Sequence, residues 1–174
     1  MGSLEDLMTE VAALRTRVAV TEGVLAVQAL KARYAELVDL RFSGGDVVDA
    51  DTLRAVAEAV AALFTPDGVW DGGPSLGAVV GRDAIAARLA DPTLVFSRHL
   101  FVNPRITVDA GGVTATGRWD LLSPCRRPDG SSYWMCGYEN DEYALIDGAW
   151  LHRSMKLTTV FMSRVGGGWT KILV

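Results

Sequence analysis

Apolar positions follow two regimes along this chain, recurring at helical spacing up to Leu89 and forming long strand-like runs from Val95 onward. Leu4, Leu7, Val11, Leu14, Val18, Thr21 and Leu25 are separated alternately by three and four residues, the pattern of one seam on a helix. Glu5, Glu10, Arg15, Arg17 and Glu22 lie off that seam. Such a stripe has to cover something, either its own domain or a neighbouring subunit, and a subunit contact is the favoured reading. Gly23 interrupts the pattern, which predicts a second helix from Val24 to about Phe42, stopped by Ser43-Gly44-Gly45. A third helix is expected from Asp51 to Phe64, with Asp49 or Asp51 as N-cap and Pro66 beyond its end. Thr65-Pro66-Asp67-Gly68 reads as a turn and Val69-Trp70 as a short strand. Gly72 to Gly81 reads as a glycine-rich loop, and Arg82 to Leu89 as a short helix stopped by Pro92.

Four consecutive strands follow, near 95–108, 113–123, 131–146 and 149–163. Asp109-Ala110-Gly111-Gly112, Arg127-Pro128-Asp129-Gly130 and Asp147-Gly148 separate them as hairpin signals. Helices first and a meander afterwards predict an α+β fold in which helices lie across the concave face of a curved antiparallel sheet. That arrangement leaves a deep pocket at the open end, lined by one face of each strand. Residues 1–22 are expected to form a helical extension and 23–174 a single domain, without repeats or low-complexity segments.

At 174 residues and 49% hydrophobic content the chain makes one domain with a substantial core. Net charge is −4, the pI is about 5.1 and the basic residues are dispersed, which argues against nucleic acid as a partner. Mean hydropathy is positive at +0.20. No apolar run approaches the ~20 residues of a spanning helix, so the surplus belongs to a core or a cavity. Met1-Gly2-Ser3-Leu4-Glu5-Asp6 lacks the basic start and apolar stretch of a secretory leader, which predicts a cytoplasmic protein. Cys125 and Cys136 are read as free thiols, and no metal-ligand spacing surrounds them. A Gly-rich phosphate loop, a nucleophile elbow and a histidine pair with carboxylate spacing are all missing from the sequence, which leaves acid–base chemistry without metal or cofactor. Gly72-Gly73 and Gly166-Gly167-Gly168 do not open helices and read as hinges or turns.

Polar residues that alternate into the pocket are the candidates for that chemistry. His99 comes first, since the chain has only one other histidine, His152, and imidazole exchanges a proton near neutrality. The strand pattern alone balances this role against a core histidine bonded to a backbone carbonyl. Tyr34 and Asp39 stand five residues apart on one helix, about 140° around its axis, and so flank a single broad face. A carboxylate beside an imidazole fixes its tautomer and raises its basicity, while a phenol donates to a developing oxyanion. Asp39 near a helix C-terminus opposes the helix dipole, which favours a functional reason for its place. The candidate substrate-binding residues are Asn103, Trp119, Asp120, Tyr138, Asn140, Arg153, Trp70 and Phe64. On strand 131–146 the set Trp134, Cys136, Tyr138, Asn140 and Glu142 shares one face, and Tyr133, Met135, Glu139, Asp141 and Tyr143 share the other. The sequence leaves open which face is internal. His152 and Arg153 likewise point to opposite faces.

With these residues in place, the chain resembles the SnoaL-like branch of the nuclear transport factor 2-like superfamily, whose fold is a cone-shaped α+β pocket. The resemblance covers roughly residues 24–170, leaving the N-terminal helix as an addition. It rests on Tyr34 and Asp39, on Leu63-Phe64-Thr65-Pro66-Asp67-Gly68-Val69-Trp70 and on Gly81-Arg82-Asp83-Ala84-Ile85. His99 with Asn103-Pro104-Arg105-Ile106 and the Gly137 to Trp150 segment complete it. Tyr34, Asp39 and His99 match positions where the bile-acid dehydratase branch keeps Tyr, Asp and a catalytic His. The similarity implies proton abstraction by His99, oriented by Asp39, with Tyr34 as donor. Asp120 and Arg153 approximate further pocket residues of that branch.

The resemblance thus implies a cofactor-independent lyase of the dehydratase type. Its substrate would be a hydrophobic cyclic or aromatic hydroxylated molecule, with Tyr34 or Asn103 stabilising an oxyanion. Formaldehyde-releasing cleavage of a lignin-derived diaryl propane is a close variant. The alternatives are a ketosteroid-isomerase or cyclase type of isomerase, and a non-catalytic binding or assembly subunit like the small subunit of ring-hydroxylating dioxygenases. A homo-oligomer, dimer or trimer, is the expected assembly.

Overall fold

The computed structural model describes residues 3–166. Helix α1, Leu4–Asp39, opens at Ser3, whose hydroxyl accepts from the Asp6 amide while the Asp6 carboxylate accepts from the Ser3 amide. The helix runs unbroken through Gly23, where the sequence predicted an interruption. A Cβ at Gly23 would stand 3.2 Å from Val108 and Trp150, so the missing side chain serves close docking of α1 onto the sheet. Two short strands follow, β1 (Phe42–Ser43) and β2 (Asp46–Val47), paired as a hairpin. Helix α2, Ala50–Ala61, is capped by Asp49, which accepts from the amides of Asp51 and Thr52, and it buries Leu53, Ala57, Val60 and Ala61 on one face.

Strand β3, Phe64–Asp71, begins where the third helix was expected to end and takes in the predicted turn at Thr65–Gly68. Those residues loop out as an irregularity in the pairing with the last strand, between Phe64 and Val69. Strand β4 (Ala78–Val80) lies inside the glycine-rich loop, and helix α3 spans Arg82–Leu89. The meander comprises β5 (Phe96–Ser97), β6 (Leu100–Val108), β7 (Thr114–Arg126), β8 (Ser132–Ile146) and β9 (Ala149–Arg164). The large sheet is ordered β4-β3-β9-β8-β7-β5, with β6 also paired to β7. Every pair in it is antiparallel except β3 with β9.

Two apolar clusters fill the space between helices and sheet. One gathers Tyr34, Val38, Val60, Phe64, Trp70, Ile85, Leu89 and Met155. The other gathers Val27, Leu30, Val108, Ala115, Trp119 and Tyr143 beneath the middle of α1. Cys125 and Cys136 are free thiols. Gly166 closes the described chain, so Gly167 and Gly168 of the expected Gly166-Gly167-Gly168 hinge or turn lie outside the described residues.

Candidate active site

The last two turns of α1 carry Tyr34 to the wall of a cavity of about 380 Å³ and place Asp39 against His99, which lines it. Its lining includes Tyr34, Trp70, His99, Leu121, Met135, Glu139, Met155 and Leu157, with Arg41 and Arg88 among the polar groups. Asp39 reaches the gap between β5 and β6, where it takes the place of a strand partner. Its carboxylate accepts from the His99 amide at 3.1 and 3.2 Å and contacts His99 Nδ1 at 2.7 Å. Arg98 Nε stands 3.3 Å from the same carboxylate. These cationic and amide donors answer the charge that the helix C-terminus disfavours. With Nδ1–H given to Asp39, Nε2 of His99 is the basic atom. Burial lowers the His99 pKa below 6.5, and the bond to Asp39 pulls it partly back. The ring lies nearly parallel to Phe101 at 6.0 Å.

Trp70 Nε1 donates to the Tyr34 hydroxyl at 3.2 Å, which leaves the phenolic O–H free to donate. Burial raises the Tyr34 pKa, so the hydroxyl stays protonated throughout the physiological range. Phe64 lies behind the cavity wall, edge-on to Tyr34 and stacked on His152.

Glu139 enters the cavity from β8. Beneath it lies a buried network: Lys31 Nζ donates to Glu139 Oε2 and, at 2.8 Å, to Asp141 Oδ2, which also accepts from the Tyr143 hydroxyl at 2.8 Å. Burial, reinforced by Asp141 and only partly offset by Lys31, lifts Glu139 to about 7. Burial works against the Lys31 charge, yet the two carboxylates hold its pKa above the ordinary value.

The structure gathers His99, Asp39, Tyr34 and Trp70 at one cavity and takes the remaining sequence candidates elsewhere. The buried face of β8 carries Gly137, Glu139, Asp141 and Tyr143, so Tyr138 and Asn140 belong to the outer face, where the Arg118 guanidinium sits 3.7 Å from the Tyr138 ring centre. Asn103 adopts a positive φ of 51° at an irregularity of β6. It is exposed and donates to Asp120 at 3.1 Å, so both hold the outside of the sheet. Arg153 is exposed, while its neighbour His152 is fully buried. Trp119 is internal but donates to Tyr143 at 2.9 Å behind the Lys31 network, away from the cavity lining. The sequence reading missed Lys31, Arg41 and Glu139. Two signals point to the buried network: Lys31 precedes Tyr34 by one helical turn, and two acids, Glu139 and Asp141, share one strand face and need a cation if buried. Among the described residues no group of three His, Cys, Asp or Glu side chains is placed to hold a metal ion.

A family model described as the SnoaL-like domain matches residues 19–156. The chain belongs to the SnoaL-like domain family. No curated protein matches the sequence. Among solved structures, a protein named as a scytalone dehydratase from Novosphingobium aromaticivorans is 20% identical. It aligns over 84% of this chain and 92% of its own, with a TM-score of 0.66. Hexachlorocyclohexane dehydrochlorinase LinA-type3 from Novosphingobium barchaimii is 19% identical over 88% of this chain and 94% of its own, with a TM-score of 0.67. An ntf2-like protein with a cystatin-like fold from N. aromaticivorans is 21% identical. That one covers 98% of this chain and 95% of its own, with a TM-score of 0.60. At these identities the likenesses establish the nuclear transport factor 2-like fold. Among the described residues no helix is long and apolar enough to cross a membrane.

Proposed function

We propose that this SnoaL-like protein is a lyase that eliminates water from a hydrophobic cyclic or aromatic hydroxylated molecule by acid–base chemistry, without a cofactor. The observation that carries this reading is His99, held by Asp39 at 2.7 Å, at the wall of a cavity whose apolar side includes Trp70, Leu121, Met135, Met155 and Leu157. His99 Nε2 takes a proton from a carbon beside the leaving hydroxyl, and the C–H electron pair becomes the new C=C bond. The C–O pair leaves with the hydroxyl, which receives the proton of Glu139 and departs as water. Tyr34 donates to a neighbouring carbonyl oxygen as charge builds there. The names of two structural relatives, a dehydratase and a dehydrochlorinase, denote eliminations and support the same class. Formaldehyde release from a diaryl propane would use the same base and apolar walls.

A panel of cyclic hydroxy-ketones and aromatic diols, followed by absorbance for conjugated products and by a formaldehyde trap, tests this reading. Turnover is expected, and His99→Ala should reduce it by about 10² or more with an unchanged melting temperature. Ligand binding without turnover across the panel would instead assign the cavity to a binding module. Wild-type rates in His99→Ala would remove His99 from the chemistry.

A further inference from the structure

The N-terminal half of α1 presents a face that the domain does not use. On the domain side, burial begins at Gly23 and continues through Val27, Leu30, Tyr34 and Val38. The seam residues Leu4, Leu7, Val11, Leu14, Val18 and Leu25 are 39–75% exposed. At 100° per residue the two sets point about 180° apart around the helix. Because the helix is continuous through Gly23, the seam cannot turn back onto its own sheet. Leu25 is 60% exposed even though the opposite side of the same turn is packed.

In heptad terms Leu4, Val11, Val18 and Leu25 occupy a positions and Leu7, Leu14 and Thr21 occupy d positions. Valine at the two central a positions, with leucine at two of the three d positions, favours two strands in a parallel coiled coil. The flanking charges agree. Glu10 and Arg17 fall at g, Arg15 and Glu22 at e, and a parallel pair sets each g residue against the e residue five positions later on the other chain. Glu10 then meets Arg15 of the second copy and Arg17 meets Glu22, each twice by symmetry. An antiparallel pair centred on the seam would set Arg15 against Arg15. The next positions in the series, Gln28 and Ala32, are exposed but not apolar enough to extend the seam, which confines the contact to residues 4–25. Three heptads are short for a free coiled coil. Here the helix is already nucleated by its packed C-terminal half, which removes the initiation cost.

We propose that residues 4–25 pair with a second copy of this chain as a parallel two-stranded coiled coil, holding two domains on its outer sides. A rival contact surface exists on the outer sheet face, where Leu100, Leu122, Cys136 and Phe161 stand in register across β6 to β9. Sedimentation equilibrium of the full chain separates the two. A dimer is expected for the wild type, and Leu14→Asp should return the monomer mass with unchanged circular dichroism of the sheet. Glu10→Arg should weaken dimerisation on the order of tenfold, and Glu10→Arg with Arg15→Glu should restore it. Leu7→Cys should form a disulfide-linked dimer on mild oxidation, with the wild type as control for Cys125 and Cys136. A monomeric wild type, an assembly whose mass ignores Leu14→Asp and the charge changes, or no Leu7→Cys cross-link would each overturn the proposal.

Discussion

His99 keeps a free Nε2 because Asp39 occupies Nδ1, and its lowered pKa leaves that atom unprotonated at neutral pH. Glu139, lifted to about 7, still holds a proton just below neutrality. In the proposed elimination, a base that must be neutral and an acid that must be protonated give a bell-shaped dependence of kcat/KM on pH, with its acid limb below 6.5 and its basic limb near 7. Asp39→Asn removes the charge that raises the His99 pKa, so the acid limb should move to lower pH while kcat falls on the order of 10². An unmoved limb would uncouple the two residues. Glu139→Gln should abolish the basic limb and lower kcat by about tenfold or more, and a retained limb near pH 7 would assign it to another group. The unique mid-chain histidine and the helical spacing of Tyr34 and Asp39 made these three legible from sequence. Glu139 was not, because a period of two separates the faces of a strand without saying which is inside. Tyr138 was equally compatible with either face and lies outside, against Arg118.

Long periodic segments were readable as elements, whereas the irregularities that shape them were not. Three of the four expected meander strands fall close to the positions that their turn signals predict, while the first is broken at Arg98-His99 into β5 and β6, where Asp39 takes the His99 amide. Gly23, by contrast, became part of a regular helix through a close helix–sheet approach, and the Thr65–Gly68 turn became an irregularity inside β3, whose flanking residues Phe64 and Val69 pair with β9. Gly137 shows how a strand bends for a reason that sequence conceals. The pairing of β8 with β9 shifts between Cys136 and Gly137, and a Cβ at Gly137 would stand 2.4 Å from the Thr158 carbonyl oxygen. That backbone cannot yield as a flexible side chain would, so Gly137→Ala should destabilise the fold by about 1–3 kcal/mol. Urea denaturation measures it. An unchanged midpoint would mean that β8 accepts a straighter path.

The whole molecule depends on a chain order in which β3, far upstream of the meander, closes the sheet parallel to β9 and brings His152 between Phe64, Tyr143 and Tyr34. That non-local pairing leaves no periodic signature, which is why the cone was expected from resemblance while the inward position of His152 was not. His152 is fully buried, and neither ring nitrogen has a hydrogen-bond partner among the described residues. Burial holds its pKa well below 6.5, and the nearby Lys31 acts in the same direction. Asp141 is 3.9 Å from its Nδ1, but that carboxylate already accepts from Lys31 and Tyr143. Since the unfolded chain binds the proton that folded His152 refuses, the stability present above pH 6.5 is lost as the pH falls from there toward the folded-state pKa. The limiting slope is about 1.4 kcal/mol per pH unit. Glu139 works the other way: its raised pKa makes folding less favourable as pH rises from 4.5 through about 7. His152→Phe keeps a ring against Phe64 and Tyr143 and removes the titration. The melting temperature of this variant should therefore decline less than that of the wild type between pH 6.5 and 5, by about 2–4 °C for each kcal/mol recovered. Parallel curves for the two proteins would show that His152 accepts its proton in the folded state, through a rearranged Asp141 contact.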